Sequence, residues 1–162
     1  MAENARWLLD QAGLGGKIVL WAHNMHVNTR NLCMGSYLRS WYGDQMVVFG
    51  FDFYLGSFNA YPSHGGVVVG SVTSNRAENP PNDSYEYVFR GSNIPRFFLD
   101  MRDPSSPPAV GSWIFGPREF RSVGATYDDF YPRLYLYTTQ LPKDFDVVVY
   151  FQDTSPSTLL PF

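Results

Sequence analysis

The sequence holds one cysteine, Cys33, in 162 residues. No intrachain disulfide can form, and a reducing compartment, the cytoplasm, is the expected setting. No apolar stretch approaches the ~20 residues that cross a bilayer. Met1 is followed by Ala2-Glu3-Asn4, not by the basic and then apolar segments of a secretory leader. Charge of one sign is also lacking. Twelve Lys and Arg stand against fifteen Asp and Glu, for a net charge of −3, with no run of either sign. That argues against nucleic acid and against an anionic membrane surface as partner. The chain has neither an HExxH nor a paired-cysteine zinc pattern, and no G-x-S-x-G turn for a serine nucleophile. The glycines between positions 13 and 16 lack the G-x-G-x-x-G spacing and precede the strand-like run they would have to follow.

Aromatic residues are plentiful: 13 Phe, 11 Tyr and 4 Trp. They occur in almost every segment, so a large aromatic core accounts for most of them, in a chain long enough for one domain. The most informative stretch is Lys17-Ile18-Val19-Leu20-Trp21-Ala22-His23-Asn24-Met25-His26-Val27. Residues 17–22 are apolar and branched, as expected of a strand buried on both faces. They break abruptly into His-Asn-Met-His, which puts two of the three histidines at a strand end, where open α/β sheets bind ligands. On a strand, residues three apart point to opposite faces, whereas on a helical turn they lie side by side. His23 and His26 therefore converge only if the chain turns after Ala22.

The remaining pattern predicts an α/β fold with a mainly parallel sheet flanked by helices, part of a larger domain. Ala5, Leu8, Leu9 and Ala12 recur at helical spacing, and Gly13 is a natural stop. That helix starts at the first residue without a cap, which reads as a cut end. Asn31 is a candidate N-cap for a helix carrying Met34, Tyr37, Leu38 and Trp41 and ended by Gly43. A second strand over 46–53 completes a βαβ unit. Loops follow around Gly56 to Ala60 and Ser63 to Gly66, with a short strand at 67–69. Asp83 or Ser84 caps a helix with Tyr85, Val88 and Phe89. Strands are expected at 96–101 and at 145–151. Residues 111–137 carry no clear pattern.

These residues resemble the erythromycin esterase family. The resemblance begins at Met1-Ala2-Glu3-Asn4 and the Trp-Ala-His-Asn-x-His motif ending at His26. It continues through Met34-Gly35-Ser36-Tyr37-Leu38, Gly50-Phe51-Asp52-Phe53 with Gly56-Ser57-Phe58, Asp100-Met101-Arg102, Gly124-Ala125 and the segment from Leu141-Pro142 to Phe151. It implies a hydrolase of carboxylic esters. In some members the substrate is the macrolactone ring of erythromycin, the setting of macrolide antibiotic resistance. It also implies that residues 1–162 correspond to the C-terminal half of the family's domain. The family's Gly-Glu and His-Gly segments, with a catalytic Glu and His, belong to an N-terminal half.

On this reading His23 and His26 are the catalytic residues of an ester hydrolase, activating water, polarising the carbonyl or supporting a base on the N-terminal half. Trp21, Asn24 and Arg102 are the substrate-binding candidates, and Asn24 is also well placed to tie down the turn through its amide. Two other readings stand beside it: a non-catalytic chain that binds a ligand or needs a partner half, and a metal-dependent hydrolase using both histidines. For the metal, Asp52, Asp100 and Asp103 are conceivable third ligands, with turn capping and surface solvation the preferred role for each. No cofactor and no tightly held metal are expected. The expected partners are a small ester substrate and either a second copy or a complementing N-terminal half. Cys33 reads as a small core residue, Ser36 as unactivated, and His64 as an exposed loop residue.

Overall fold

The computed structural model describes residues 1–30, 32–102 and 108–160, with backbone alone for 108–110. Its helices are α1 (Ala2–Gln11), α2 (Asn24–Val27), α3 (Met34–Tyr42), α4 (Tyr85–Gly91), α5 (Pro108–Ile114) and α6 (Leu141–Asp144). Its strands are β1 (Phe49–His64), β2 (Val67–Val68), β3 (Thr73–Arg76), β4 (Arg96–Asp100), β5 (Arg118–Arg121), β6 (Thr126–Tyr127), β7 (Leu136–Thr139) and β8 (Val147–Thr154). β1 is the spine. It runs parallel to β8 from Phe49↔Val147 to Gly56↔Thr154, and β4 lies antiparallel on the far side of β8. Beyond Gly56, β1 pairs antiparallel with β3 and β2 and parallel with β6. β5 and β7 form a separate antiparallel pair.

The sheet is thus mixed rather than mainly parallel. The expected 46–53 and 145–151 strands do run parallel, as β1 and β8. The antiparallel share comes from β4, which runs against β8, and from the stretch read as loop. There β1 continues to His64 and folds back through Gly65 and Gly66, at φ +57° and +84°. Two left-handed residues in a two-residue connection match the twist of a hairpin, and glycine adopts them freely.

The larger correction concerns residues 17–22, which join no strand. Val19 is 91% exposed and Trp21 83%. A strand hidden on both faces needs backbone partners along an edge and cover above and below. Here β1 offers neither at that point. The amide of Asn24 occupies both hydrogen-bonding groups of Phe51, donating from Nδ2 to its carbonyl at 2.7 Å and accepting from its N–H at 3.0 Å. The run lies alongside instead, with the Trp21 ring meeting Phe51 edge-on at 5.2 Å. Without this strand the anticipated βαβ unit does not form, although α3 does, ending at Gly43 with φ +51°.

One face of the sheet is well covered. Register puts Asp52, Tyr150 and Phe97 in one row across β1, β8 and β4. α4 packs over that face, Phe89 meeting Tyr150 at 5.5 Å between ring centroids. Ser84 caps α4 by accepting from the Tyr87 N–H. Tyr85, Phe120, Leu141, Phe145 and Val148 complete the core. The neighbouring row, Phe51, Val149 and Phe98, points to the other face, where Phe98 is 75% exposed. Ala2, Ala5 and Leu38 make a smaller cluster between α1 and α3. Asn31 and Asp103 lie outside the described residues; the residue before α3 is Cys33, which makes no side-chain cap.

Candidate active site

The chain does turn after Ala22. α2 is a single turn with His23 as its N-cap. The His23 Nδ1 accepts from the Met25 N–H at 3.2 Å, and Nε2 lies 2.7 Å from the Val123 carbonyl. A carbonyl only accepts, so Nε2 carries the proton and Nδ1 the lone pair. These two bonds set the tautomer and leave His23 no spare lone pair. Three residues on, His26 stands beside it, with ring centroids 6.4 Å apart and planes at 75°. His26 is exposed; its backbone N–H donates to the His23 carbonyl at 2.8 Å, while its ring makes no hydrogen bond to any described residue. The two histidines are therefore unequal: one is fixed at both nitrogens, the other is open.

Next to this turn lies a cavity of about 410 Å³. Trp21, His23, Asn24, Phe51, Asp52 and Arg121 are among the residues lining it. His26 is not among them, so the cavity is shared by His23 and Asn24 rather than by both histidines. Arg102 sits elsewhere. It is exposed and ion-paired to Asp100, and does not line the cavity: the Asp100 end of β4 pairs with Val147 at the start of β8, while the cavity reaches Phe151 and Thr154. The Arg102 guanidinium holds the Asp100 carboxyl down to about 2. Asn24, anchored to Phe51, joins the histidine turn to the central strand.

Asp52 departs most from the sequence reading. It caps no turn and meets no solvent: it is 2% exposed, on the covered face of β1, beside buried Glu86 of α4 and Arg121 of β5. Burial, followed by repulsion from Glu86, pushes its carboxyl well above the usual range. Burial likewise raises Glu86, which accepts a short hydrogen bond from the Arg121 N–H. Arg121 donates through Nη2 to the Glu78 carbonyl at 2.7 Å, and its guanidinium lies 5.1 Å from the Phe53 ring centroid. Among the described residues no group of three or more His, Cys, Asp or Glu side chains is placed to hold a metal.

The sequence carried one signal for this cluster. A lone Asp inside the apolar run Phe49-Gly50-Phe51-Asp52-Phe53-Tyr54 falls on the same side as Gly50 and Tyr54, both buried. A carboxyl in that register needs a partner. Arg121 and Glu86 gave no signal, since 111–137 showed no pattern and Glu86 reads as an ordinary acidic first-turn residue.

The raised Asp52 carboxyl makes stability depend on pH in a defined sense. The folded state keeps a proton that the unfolded state releases near pH 4, so stability falls as pH rises above that point. Asp52→Asn removes this cost while keeping an acceptor for the Phe53 N–H. In urea unfolding the variant is expected to be more stable than the unsubstituted chain at pH 7, and the gap should close toward pH 4. An equal or widening gap at acid pH would contradict the assignment.

Comparison with known proteins defines the class. Residues 1–154 match the family model described as Erythromycin esterase, and the chain belongs to that family. "Putative hydrolase YbfO" of Bacillus subtilis (strain 168) is 25% identical over 172 residues, covering 99% of this chain and 35% of that protein. A Bacillus cereus protein of known crystal structure superposes with a TM-score of 0.80 at 26% identity, covering 96% of this chain and 37% of that one. An erythromycin esterase mutant, EreC, in its open conformation superposes with a TM-score of 0.60 at 18% identity, over 92% of this chain and 35% of that one, a likeness of fold. The chain spans just over a third of the length of these relatives.

Proposed function

We propose that this chain supplies the histidine part of an ester-hydrolase site of the erythromycin esterase type. The reaction is attack of water on a carboxylic, macrolactone-like ester. The observation that supports it most is the pairing of His23, hydrogen-bonded at both ring nitrogens and lining the cavity, with a His26 whose free ring stands beside it just outside that cavity. His26 takes a proton from water as the oxygen attacks the carbonyl carbon. The tetrahedral intermediate then expels the alcohol oxygen, which receives that proton. The products are an acid and an alcohol. His23 acts through α2: its bonds to Met25 and Val123 fix the turn that carries His26. Trp21 and Asn24 border the substrate, and no metal or cofactor enters the steps.

The uncovered row of Phe51, Val149 and Phe98, with exposed Val19 and Trp21 nearby, favours a partner for this face. We assign it to polypeptide that completes the domain, with a second copy as the alternative occupant; the relatives' greater length supports the former. No helix among the described residues is long and apolar enough to cross a membrane, and the cytoplasm is our proposed location.

The test is gain of one water by an ester substrate, erythromycin first, read by mass spectrometry. His26→Ala should lower turnover by about 100-fold or more with unchanged circular dichroism. Unchanged turnover in a folded His26→Ala would contradict the role. Absence of hydrolysis in the unsubstituted protein would favour the second reading, a ligand-binding chain.

A further inference from the structure

The histidine turn is held from two separate elements. Asn24 grips the backbone of Phe51 on β1, and the His23 Nε2 donates to the Val123 carbonyl just beyond β5. Among the described residues β5 pairs with β7 alone. The Arg121↔Leu136 register and the bond from the Ser122 N–H to the Tyr135 carbonyl, at 2.8 Å, close that edge. Backbone groups of successive residues face opposite edges of a strand, so those of Arg121 and Val123 face away from β7. Two side chains stand there in place of a strand: Glu86 accepts from the Arg121 N–H, and His23 donates to the Val123 carbonyl. The same two elements meet again behind the turn. Asp52 follows Phe51, and Glu86 holds the chain two residues before Val123. Each carboxyl has one oxygen engaged, Asp52 Oδ1 by the Phe53 N–H at 2.7 Å and Glu86 Oε1 by the Arg121 N–H. The other two, Asp52 Oδ2 and Glu86 Oε2, are buried and have no hydrogen-bond donor among the described residues. Carboxylate oxygens only accept, so these two satisfy each other only if one carries a proton.

We propose that Asp52 and Glu86 are positioning residues for His23: the two carboxyls share one proton, and the carboxylate held in this way fixes the Arg121–Val123 backbone where His23 meets it. On the hydrolase reading, which this role deepens and rests on, the turn so fixed is the one that carries the open His26. Charge agrees with a single proton. One carboxylate, one neutral acid and the Arg121 guanidinium sum to zero, whereas two carboxylates leave a buried excess of negative charge. Burial and then Glu86 raise the Asp52 carboxyl, and a hydrogen bond between the two side chains acts in the same direction. Burial also raises Glu86, but bonds from its own N–H, from the Arg121 N–H and from Ser84 oppose it. The proton therefore rests on Asp52, and Glu86 is the acceptor. The other ionisable groups near Asp52, Tyr150 of β8 and Tyr137 of β7, are kept neutral by burial and supply no competing charge.

Carboxyl ¹³C shifts and exchange of the His23 Nε2 proton, both read by NMR on the intact chain, test this without turnover, so it fails separately from the hydrolase reading. At pH 7 the Asp52 carboxyl is expected at the shift of an acid and Glu86 at that of a carboxylate. Glu86→Ala removes the acceptor for the Arg121 N–H and should speed exchange of the His23 proton about tenfold or more. Glu86→Asp keeps the charge but draws the carboxyl back by one methylene, and should act in the same direction; it gives the reading if the alanine variant does not fold. Glu86→Gln and Asp52→Asn keep a donor facing an acceptor, and each should leave exchange within about twofold of the unsubstituted chain. Phe89→Leu, on the same helix but packed on Tyr150, controls for lost stability. At equal loss in urea unfolding it should quicken exchange less than about threefold. Two ionised carboxyls at pH 7, exchange unmoved in the folded Glu86→Ala or Glu86→Asp, no rescue by Glu86→Gln, or equal quickening in Phe89→Leu would each overturn the assignment.

Discussion

Gly35→Ala is expected to lose more than about 3 kcal/mol of stability, or to fail to fold. Gly35 is buried in the first turn of α3, and a methyl at its Cβ position would lie inside the contact distance of the Val27 carbonyl and of the Asn28 carbonyl oxygen. Both are backbone groups at the end of α2, so no side chain can swing aside. Relief requires separating α3 from the turn that holds both histidines. Thermal unfolding by circular dichroism checks this. A variant as stable as the unsubstituted chain would mean that the approach of α2 to α3 is looser than described.

Asn24→Asp should be the next most damaging change, at about 2–4 kcal/mol. It keeps an oxygen to accept from the Phe51 N–H but removes the Nδ2 donor, and sets a carboxylate against the Phe51 carbonyl. Asn24→Ala loses both bonds without adding a buried charge and should cost less. Urea unfolding of the two variants gives the order. If Asp were tolerated better than Ala, the amide would not be what ties the histidine turn to β1.

Where local chemistry decided the outcome, the sequence was a good guide. α1, α3 and α4 stand where apolar spacing, the Gly13 and Gly43 stops and the Ser84 cap put them, because a short amphipathic helix is specified by its own residues. The turn after Ala22 was also legible, since two histidines three apart need it to meet. The Lys17-Ile18-Val19-Leu20-Trp21-Ala22 run was misread for the opposite reason. Its composition records the cover a strand would need, and within the described residues that cover is not present: Asn24 fills the backbone groups of Phe51 instead. β1 past Gly56 looked like loop because Ser57, Asn59, Pro62 and Ser63 break up its apolar residues. Pairing with β3, β6 and β2 outweighs these weak preferences. The Asp52, Glu86 and Arg121 cluster joins three elements distant in sequence, and only the fold brings it together.

The central claim is that the two histidines divide their work, His23 holding the turn and His26 left open for chemistry. Long-range proton–nitrogen correlation of the imidazole rings tests it most directly, with the chain labelled in ¹⁵N. The account predicts His23 as the Nε2–H tautomer, with a slowly exchanging Nε2 proton bonded to Val123 and a bare Nδ1 bonded to Met25, and His26 with fast-exchanging ring protons. A proton on His23 Nδ1, or ring protons exchanging equally fast in both residues, would contradict it.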